Sequence, residues 1–169
     1  MPNSYQNLFL HADGDSFFVA CELVENPQYK GLPVIVGEDK GIAVAMSYEA
    51  KKLGVTRGMP VFKIKKQFPT VIILPHHFDV YTRISKGVYD ILLSYLEEVE
   101  QYSIDECFAV VKPSDITLAG SPEKLMQDIK NEIQNTLGVT FSLGLARTKA
   151  LAKTASKLEK PNGMVLLLD

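Results

Sequence analysis

Two strand-like stretches, residues 99–104 and 107–111, are separated by Asp105 and Glu106 alone. So short a connection makes them an antiparallel hairpin with a charged apex. Helical spacing flanks the hairpin on both sides. Before it, Tyr81, Ile84, Val88, Ile91, Leu92 and Tyr95 set one stripe of residues 81–96 against a core. After it, Ser121-Pro122-Glu123 opens a second helix, with Leu125, Ile129, Ile133 and Leu137 on one face and Gly138 at its end. A strand at residues 8–12 runs into Asp13. In VTFSLGLA, Val139, Phe141, Leu143 and Leu145 alternate with small or polar residues, which predicts a strand with one buried face. The order is strand, helix, strand, strand, helix, strand, so the expected fold is α+β of the split, ferredoxin-like βαββαβ kind.

On this reading residues 1–14 and 75–169 form the sheet domain and residues 15–74 a small α/β insertion. Within the insertion Asp15 is expected to cap a helix in SFFVACELV that stops at Asn26-Pro27. Short strands follow at 33–36 and 41–45, then a helix at 48–53 stopped by Gly54, a short helix from the GMP at 58–60 to Phe68, and a strand at 71–74. A basic helix at 148–157 and a strand at 164–168 complete the chain.

The composition, 46% hydrophobic and 22% charged, is that of an ordered globular protein. Cys21 and Cys107 stand far apart without metal-ligand spacing, so buried reduced thiols are expected. With no secretory signal and no stretch of membrane-span length, the expected location is the cytoplasm, with no membrane partner. A net charge of −2 excludes a uniformly basic nucleic-acid binder and leaves any contact with DNA to local patches.

In the expected sheet the first strand lies beside the hairpin, which brings Asp13 to Asp105 and Glu106. Three crowded carboxylates repel one another unless cations or protons offset their charge, and an oxygen-only set suits Mg²⁺. A pair of such ions about 3.5 to 4 Å apart would serve nucleotidyl transfer. A helix cap at Asp13 and Asp15 and a solvated turn at Asp105 and Glu106 would account for the same residues without any chemistry.

Four segments, LHADGDSFFVACE, SYEAKKLGV, YSIDECF and LARTKALAKTASKLEKPNG, resemble in order and spacing the motifs of the Y-family, translesion-type (DinB/UmuC-like) DNA polymerases. The resemblance runs from Leu8 to Leu168. It implies a palm at residues 1–14 and 75–169 and fingers at 15–74. The implied activity is template-directed transfer of a deoxynucleotide from a dNTP to a primer 3′-hydroxyl with two Mg²⁺ ions, Mn²⁺ being able to substitute, in translesion synthesis and DNA repair. It makes Asp13, Asp105 and Glu106 the catalytic metal carboxylates, with the Gly14 carbonyl also facing a metal. Phe18 becomes the aromatic gate against a 2′-hydroxyl, with Phe17 beside it. Tyr48, Lys51 and Lys160 become triphosphate contacts. Most members carry Arg where Lys51 stands, which keeps the charge and loses the bidentate fork.

Lys149, Lys153 and Lys157 recur every fourth residue and form a basic stripe that is a candidate for contact with DNA. Lys63 to Lys66 read as a solvated run, and His11, His76 and His77 carry no catalytic signal. By the resemblance the chain ends where members continue into a thumb and a little finger. The implied partners are primer-template DNA, a dNTP, and a thumb/little-finger polypeptide or sliding clamp, with weak grip on DNA by this chain alone. Two other readings share these features: a palm-fingers fragment that binds nucleotide with little or no turnover, and a palm-fold nucleotide cyclase.

Overall fold

A computed structural model describes residues 6–168. The described chain divides into two compact units, one made of residues 6–15 and 83–168 and the other of residues 16–82.

The first unit is built on a five-stranded sheet. Its strands are Leu8–Gly14 (β1), Glu98–Ser103 (β5), Glu106–Val111 (β6), Phe141–Ala146 (β7) and Met164–Leu167 (β8), in the order β5-β6-β1-β7-β8. β1 pairs antiparallel with both β6 and β7, and β8 joins β7 in parallel. The first four strands in that order form the ferredoxin-like sheet expected from the sequence, extended by β8. Period two divides β1 cleanly: Leu8, Leu10 and Ala12 point to one face and His11 and Asp13 to the other.

The apolar face is covered by helices. α4 (Phe78–Tyr95) enters the unit at Arg83, and α6 (Pro122–Leu137) runs between β6 and β7 in the chain. The stripes read from spacing are buried at Ile84, Val88, Ile91 and Leu92 on α4 and at Leu125, Ile129 and Ile133 on α6, where Met126 joins them, while Tyr95 and Leu137 at the helix ends are half-buried. The two helices touch where Gly87 faces Leu137 and where the Tyr95 hydroxyl donates to Glu132 at 2.5 Å. That hydrogen bond, with burial, pushes the Tyr95 phenol up to about 12. Ser121 caps α6 by accepting from the Lys124 amide, and Gly138 ends it in the left-handed conformation at φ 75°.

Four sequence expectations are corrected here. β7 is buried on both faces rather than one, because α7 (Lys149–Leu158) lies over its second face. The small residues between the large ones are what admit that helix: a Cβ on Gly144 would overlap the Ala152 carbonyl oxygen and the Ser156 amide. A helix that spacing did not reveal, α5 (Pro113–Ala119), starts with Pro113 at its first position and with Asp115 accepting from the Lys112 amide at 2.7 Å. Its seven residues are too few to show a period, and its Leu118 is 91% exposed. The other two corrections fall in the second unit and at its border.

The second unit contains α1 (Phe17–Glu25), α2 (Tyr48–Leu53) and α3 (Val61–Gln67) with a three-stranded sheet in the order β3-β2-β4, made of Ala45–Met46 (β3), Val34–Val36 (β2) and Ile72–Leu74 (β4). β2 is its centre. Ile35 packs into a cluster with Ala43, Ala50, Val55, Val61 and Ile64, while Val34 and Val36 join Val19 in another cluster. The strand expected at 41–45 shortens to Ala45–Met46, because the preceding residues pair with a loop: Ala43 donates to the Met59 carbonyl, and Ile42 bridges Pro60. Asp15 does not cap α1. Ser16 occupies the cap position in the left-handed region at φ 43° with no side-chain cap, and the Asp15 carboxylate is engaged elsewhere. α2 behaves as read, capped by Ser47 and ended by Gly54 at φ 107°.

Candidate active site

Strand register assembles the acids. Asp13 stands opposite Glu106 across the β1–β6 pair, so both side chains leave the sheet on one face. The Gly14 amide donates to the Asp105 carbonyl at 2.9 Å, closing the end of β1 onto the hairpin turn. The Ser103 hydroxyl lies 3.0 Å from Asp105 Oδ1 and 3.1 Å from Glu106 Oε2 and ties the two carboxylates together. Asp13 is buried, and Asp105 and Glu106 are half-buried.

The electrostatics record the crowding. Burial raises the Asp13 carboxyl above its usual range, the Lys160 ammonium opposes this, and the negative charges of Asp105 and Glu106 add to the rise. Glu106 moves down: burial pushes it upward, but hydrogen bonds from Lys153 and Ser103 and the charge of Lys153 outweigh that. A cation beside Asp13 would remove the penalty that its neighbours impose.

The face that carries these acids also holds His11, which is fully buried. Its Nδ1 lies 2.7 Å from Ser156 Oγ on α7, its Nε2 lies 3.1 Å from Glu106 Oε1, and its ring packs 4.6 Å from that of Phe108. Burial lowers the imidazole to about 4, against the pull of Glu106, so the ring is neutral near pH 7. His11, Asp13 and Glu106 each offer a ligand atom within 4.8 Å of the others. Both ring nitrogens of His11 already have partners, so the donors left to a metal ion are carboxylate oxygens. Hard oxygen donors fit a divalent cation of the magnesium or manganese kind. The sequence reading missed His11 and Ser103, yet a signal for His11 existed: it stands two residues before Asp13 on a strand and therefore shares its face.

Lys160 reaches the same corner. Its Nζ lies 3.0 Å from the Gly14 carbonyl, 3.2 Å from the Asp13 carbonyl, 3.0 Å from Asp15 Oδ1 and 3.6 Å from Asp13 Oδ1. The basic stripe of α7 divides. Lys153 pairs with Glu106 at 3.0 Å and lies 4.8 Å from the centre of the Tyr102 ring. Lys149 pairs with Glu100 at 2.5 Å and lies 5.3 Å from the centre of the Phe108 ring. Lys157 is exposed. Of the other basic run, Lys65 pairs with Asp39 on the surface.

In the second unit Phe17 is 4% exposed while Phe18 is half-exposed, as expected for adjacent helical positions. The Phe18 ring stacks on Tyr81 with centroids 4.6 Å apart and 19° between planes, and Phe78 meets it edge-on at 5.9 Å. Tyr81 is held in turn: its hydroxyl donates to buried Glu22 at 2.5 Å, and His77 Nδ1 lies 2.9 Å from the same carboxylate. Tyr48 opens α2, and Lys51, one turn later, is exposed.

A family model described as impB/mucB/samB matches residues 12–157. The chain belongs to that family. Among curated members, it is 40% identical over 164 residues to DNA polymerase IV of Desulfatibacillum aliphaticivorans, covering 96% of this chain and 41% of that one. It is 36% identical to DNA polymerase IV of Treponema denticola, again over 96% of this chain and 41% of the relative. Among solved structures, DinB from Sulfolobus solfataricus superposes with a TM-score of 0.85 at 32% identity, covering 95% of this chain and 48% of the other. A Y-family DNA polymerase chimera gives 0.84 at 30% identity with the same coverage. The chain therefore spans less than half the length of these relatives. The resemblance to Y-family polymerases read from the motifs holds, and so does the α+β, ferredoxin-like fold. No helix among the described residues is long and apolar enough to cross a membrane.

Proposed function

We propose that this impB/mucB/samB chain is the catalytic core of a template-directed DNA polymerase of the translesion type. In this reading residues 1–14 and 75–169 are the palm and residues 15–74 the fingers, a division that differs from the two compact units in giving residues 75–82 to the palm. The reaction is attack of a primer 3′-hydroxyl on the α-phosphate of a dNTP, with pyrophosphate leaving. The observation that carries the reading is the meeting of Asp13, Asp105 and Glu106 at the end of β1, through the Asp13–Glu106 register and the bond from Gly14 to Asp105.

Asp13, Asp105, Glu106 and the Gly14 carbonyl would hold the metal, Mg²⁺ in the cell with Mn²⁺ able to replace it. Two such ions, when bound, lower the pKa of the attacking hydroxyl and stabilise the leaving oxygen. The chain's own part is positioning and charge. Ser103 keeps two carboxylates from drifting apart, Lys153 limits the charge at Glu106, and Lys160 brings an ammonium toward the triphosphate. Phe18, with its ring orientation set by Tyr81, is the gate against a ribose 2′-hydroxyl. Tyr48 and Lys51 contact the triphosphate, and the Lys149–Lys153–Lys157 stripe faces DNA backbone. The proposed partners are primer-template DNA, a dNTP, and thumb and little-finger segments or a clamp that grip the duplex, in the cytoplasm.

The test is calorimetric titration of dTTP with and without Mg²⁺, together with primer extension at high protein concentration. Asp105→Ala should abolish templated addition and weaken the metal-dependent part of binding by about tenfold or more, as expected for loss of a charged ligand. Unchanged metal-dependent binding in that variant would reject the site.

A further inference from the structure

Lys160 sits in a turn that needs an anchor, and the acid that meets it is one the metal assignment leaves unused. Asp15 is 4% exposed, and an ionised carboxylate accepts about four hydrogen bonds. Four donors reach it: Lys160 Nζ at 3.0 Å and Ser142 Oγ at 2.7 Å on Oδ1, and Thr140 Oγ1 at 2.7 Å and the Asn162 amide at 2.8 Å on Oδ2. No lone pair is left for a metal ion. Ser142 in turn accepts from the Gly163 amide at 3.0 Å, so the residues on both sides of the turn are bound to one acid and its partner on β7.

The ammonium is also fully used. Its three N–H groups face Asp15 Oδ1 and the carbonyls of Gly14 and Asp13. Two of those acceptors are neutral carbonyls, which phosphate oxygens can replace. The third is a charged, buried carboxylate, and its bond is the strongest of the three.

We propose that Asp15 is the positioning residue for Lys160. It holds the ammonium beside the Gly14 carbonyl and pins the 160–163 turn that delivers it. Lys160 then exchanges carbonyl partners for phosphate while it pivots on Asp15, with the entropy cost of ordering a long side chain already met before nucleotide arrives. The inference rests on the reading of Lys160 as a triphosphate contact.

The experiment has two readouts on the chain, one without nucleotide and one with it. Without nucleotide, the Lys160 Cε–Hε NMR signal is assigned by its loss in Lys160→Ala. In the wild type it should lie apart from the exposed lysines, and in Asp15→Asn it should move in among them while far-UV circular dichroism stays the same. With nucleotide, a dATP–Mg²⁺ titration should weaken about tenfold in Lys160→Ala. Asp15→Asn should weaken it severalfold, and the double variant should match Lys160→Ala within about twofold, because the two residues act as one. A signal unmoved by Asp15→Asn, or fold-changes that multiply in the double variant, would overturn the proposal. Should Asp15→Asn not fold, the wild-type signal decides: found among the exposed lysines, it rejects the tether. If Lys160→Ala binds nucleotide like the wild type while Asp15→Asn still moves the lysine signal, the triphosphate role falls and the tether stands.

Discussion

Replacing Gly144 with alanine adds one methyl group where β7 lies directly against the backbone of α7. The new Cβ would overlap backbone atoms of α7, the Ala152 carbonyl oxygen and the Ser156 amide, and lie 2.8 Å from Ala155 Cβ. Restoring an ordinary carbon–carbon separation of about 3.8 Å requires α7 to retreat from the sheet by about 1 Å. Backbone cannot rotate away as a side chain does, so the cost falls at the upper end of overpacking penalties, about 3 kcal/mol. In a chain of this size that lowers Tm by about 6 to 12 °C. The same retreat carries Ser156 from His11 and Lys153 from Glu106, contacts of 2.7 and 3.0 Å. Thermal melts of Gly144→Ala measure the first effect. The control is Gly41→Ala, where the added carbon meets nothing nearer than 3.4 Å and a shift within about 0.5 kcal/mol is expected. If Gly144→Ala melts within about 2 °C of the wild type, the close seating of α7 on β7 is refuted.

Two other perturbations address the second unit. Phe18→Ala should let ribonucleotides bind with discrimination reduced by about tenfold or more in competitive titration; equal selectivity in both proteins would remove Phe18 from the gate role. His77 is raised above 6.5 mainly by its hydrogen bond to Glu22, so its charged form is favoured in the fold. That contribution is fully present below the unfolded value and is lost as pH rises through the folded one. Because His77 is half-exposed the effect is small. His77→Gln should melt below the wild type near pH 5.5 and level with it near pH 8.5, and an equal gap at both would contradict the pairing.

Much of this architecture was legible because periodicity reports which faces are covered. The stripes of α4 and α6 and the hairpin around Asp105 were readable for that reason, and together they forced the acids into one corner. Where a residue's role depends on a distant partner, the pattern was silent. Asp15 looks like a helix cap in DGDSFF, since a cap and a buried hub use the same side chain. Only the placement of Thr140, Ser142 and Asn162 separates the two. The alternation in VTFSLGLA announced one apolar face but concealed what covers the other, because Gly144 is small for the sake of α7 and Ser142 is polar for the sake of Asp15 rather than of solvent. His11 was passed over as a structural histidine. It is one by its burial, and it also touches Glu106, the acid its strand position puts within reach. α5 was too short to show a period.

The six residue pairs that join β1 to β6, from Leu8 with Val111 to Asp13 with Glu106, also set where the chain can tolerate a change in length. One residue added within β1 or the hairpin would turn every following side chain to the opposite face and send a carboxylate into the apolar layer under α4 and α6. The joint between α5 and α6 carries no such count. Gly120 has open space around it, and Leu118 two residues before it faces solvent. A reporter peptide grafted between Gly120 and Ser121 would leave every strand pair in place, whereas the same graft at Ile104 would break the Ser103 and Gly14 contacts that bring the acids together.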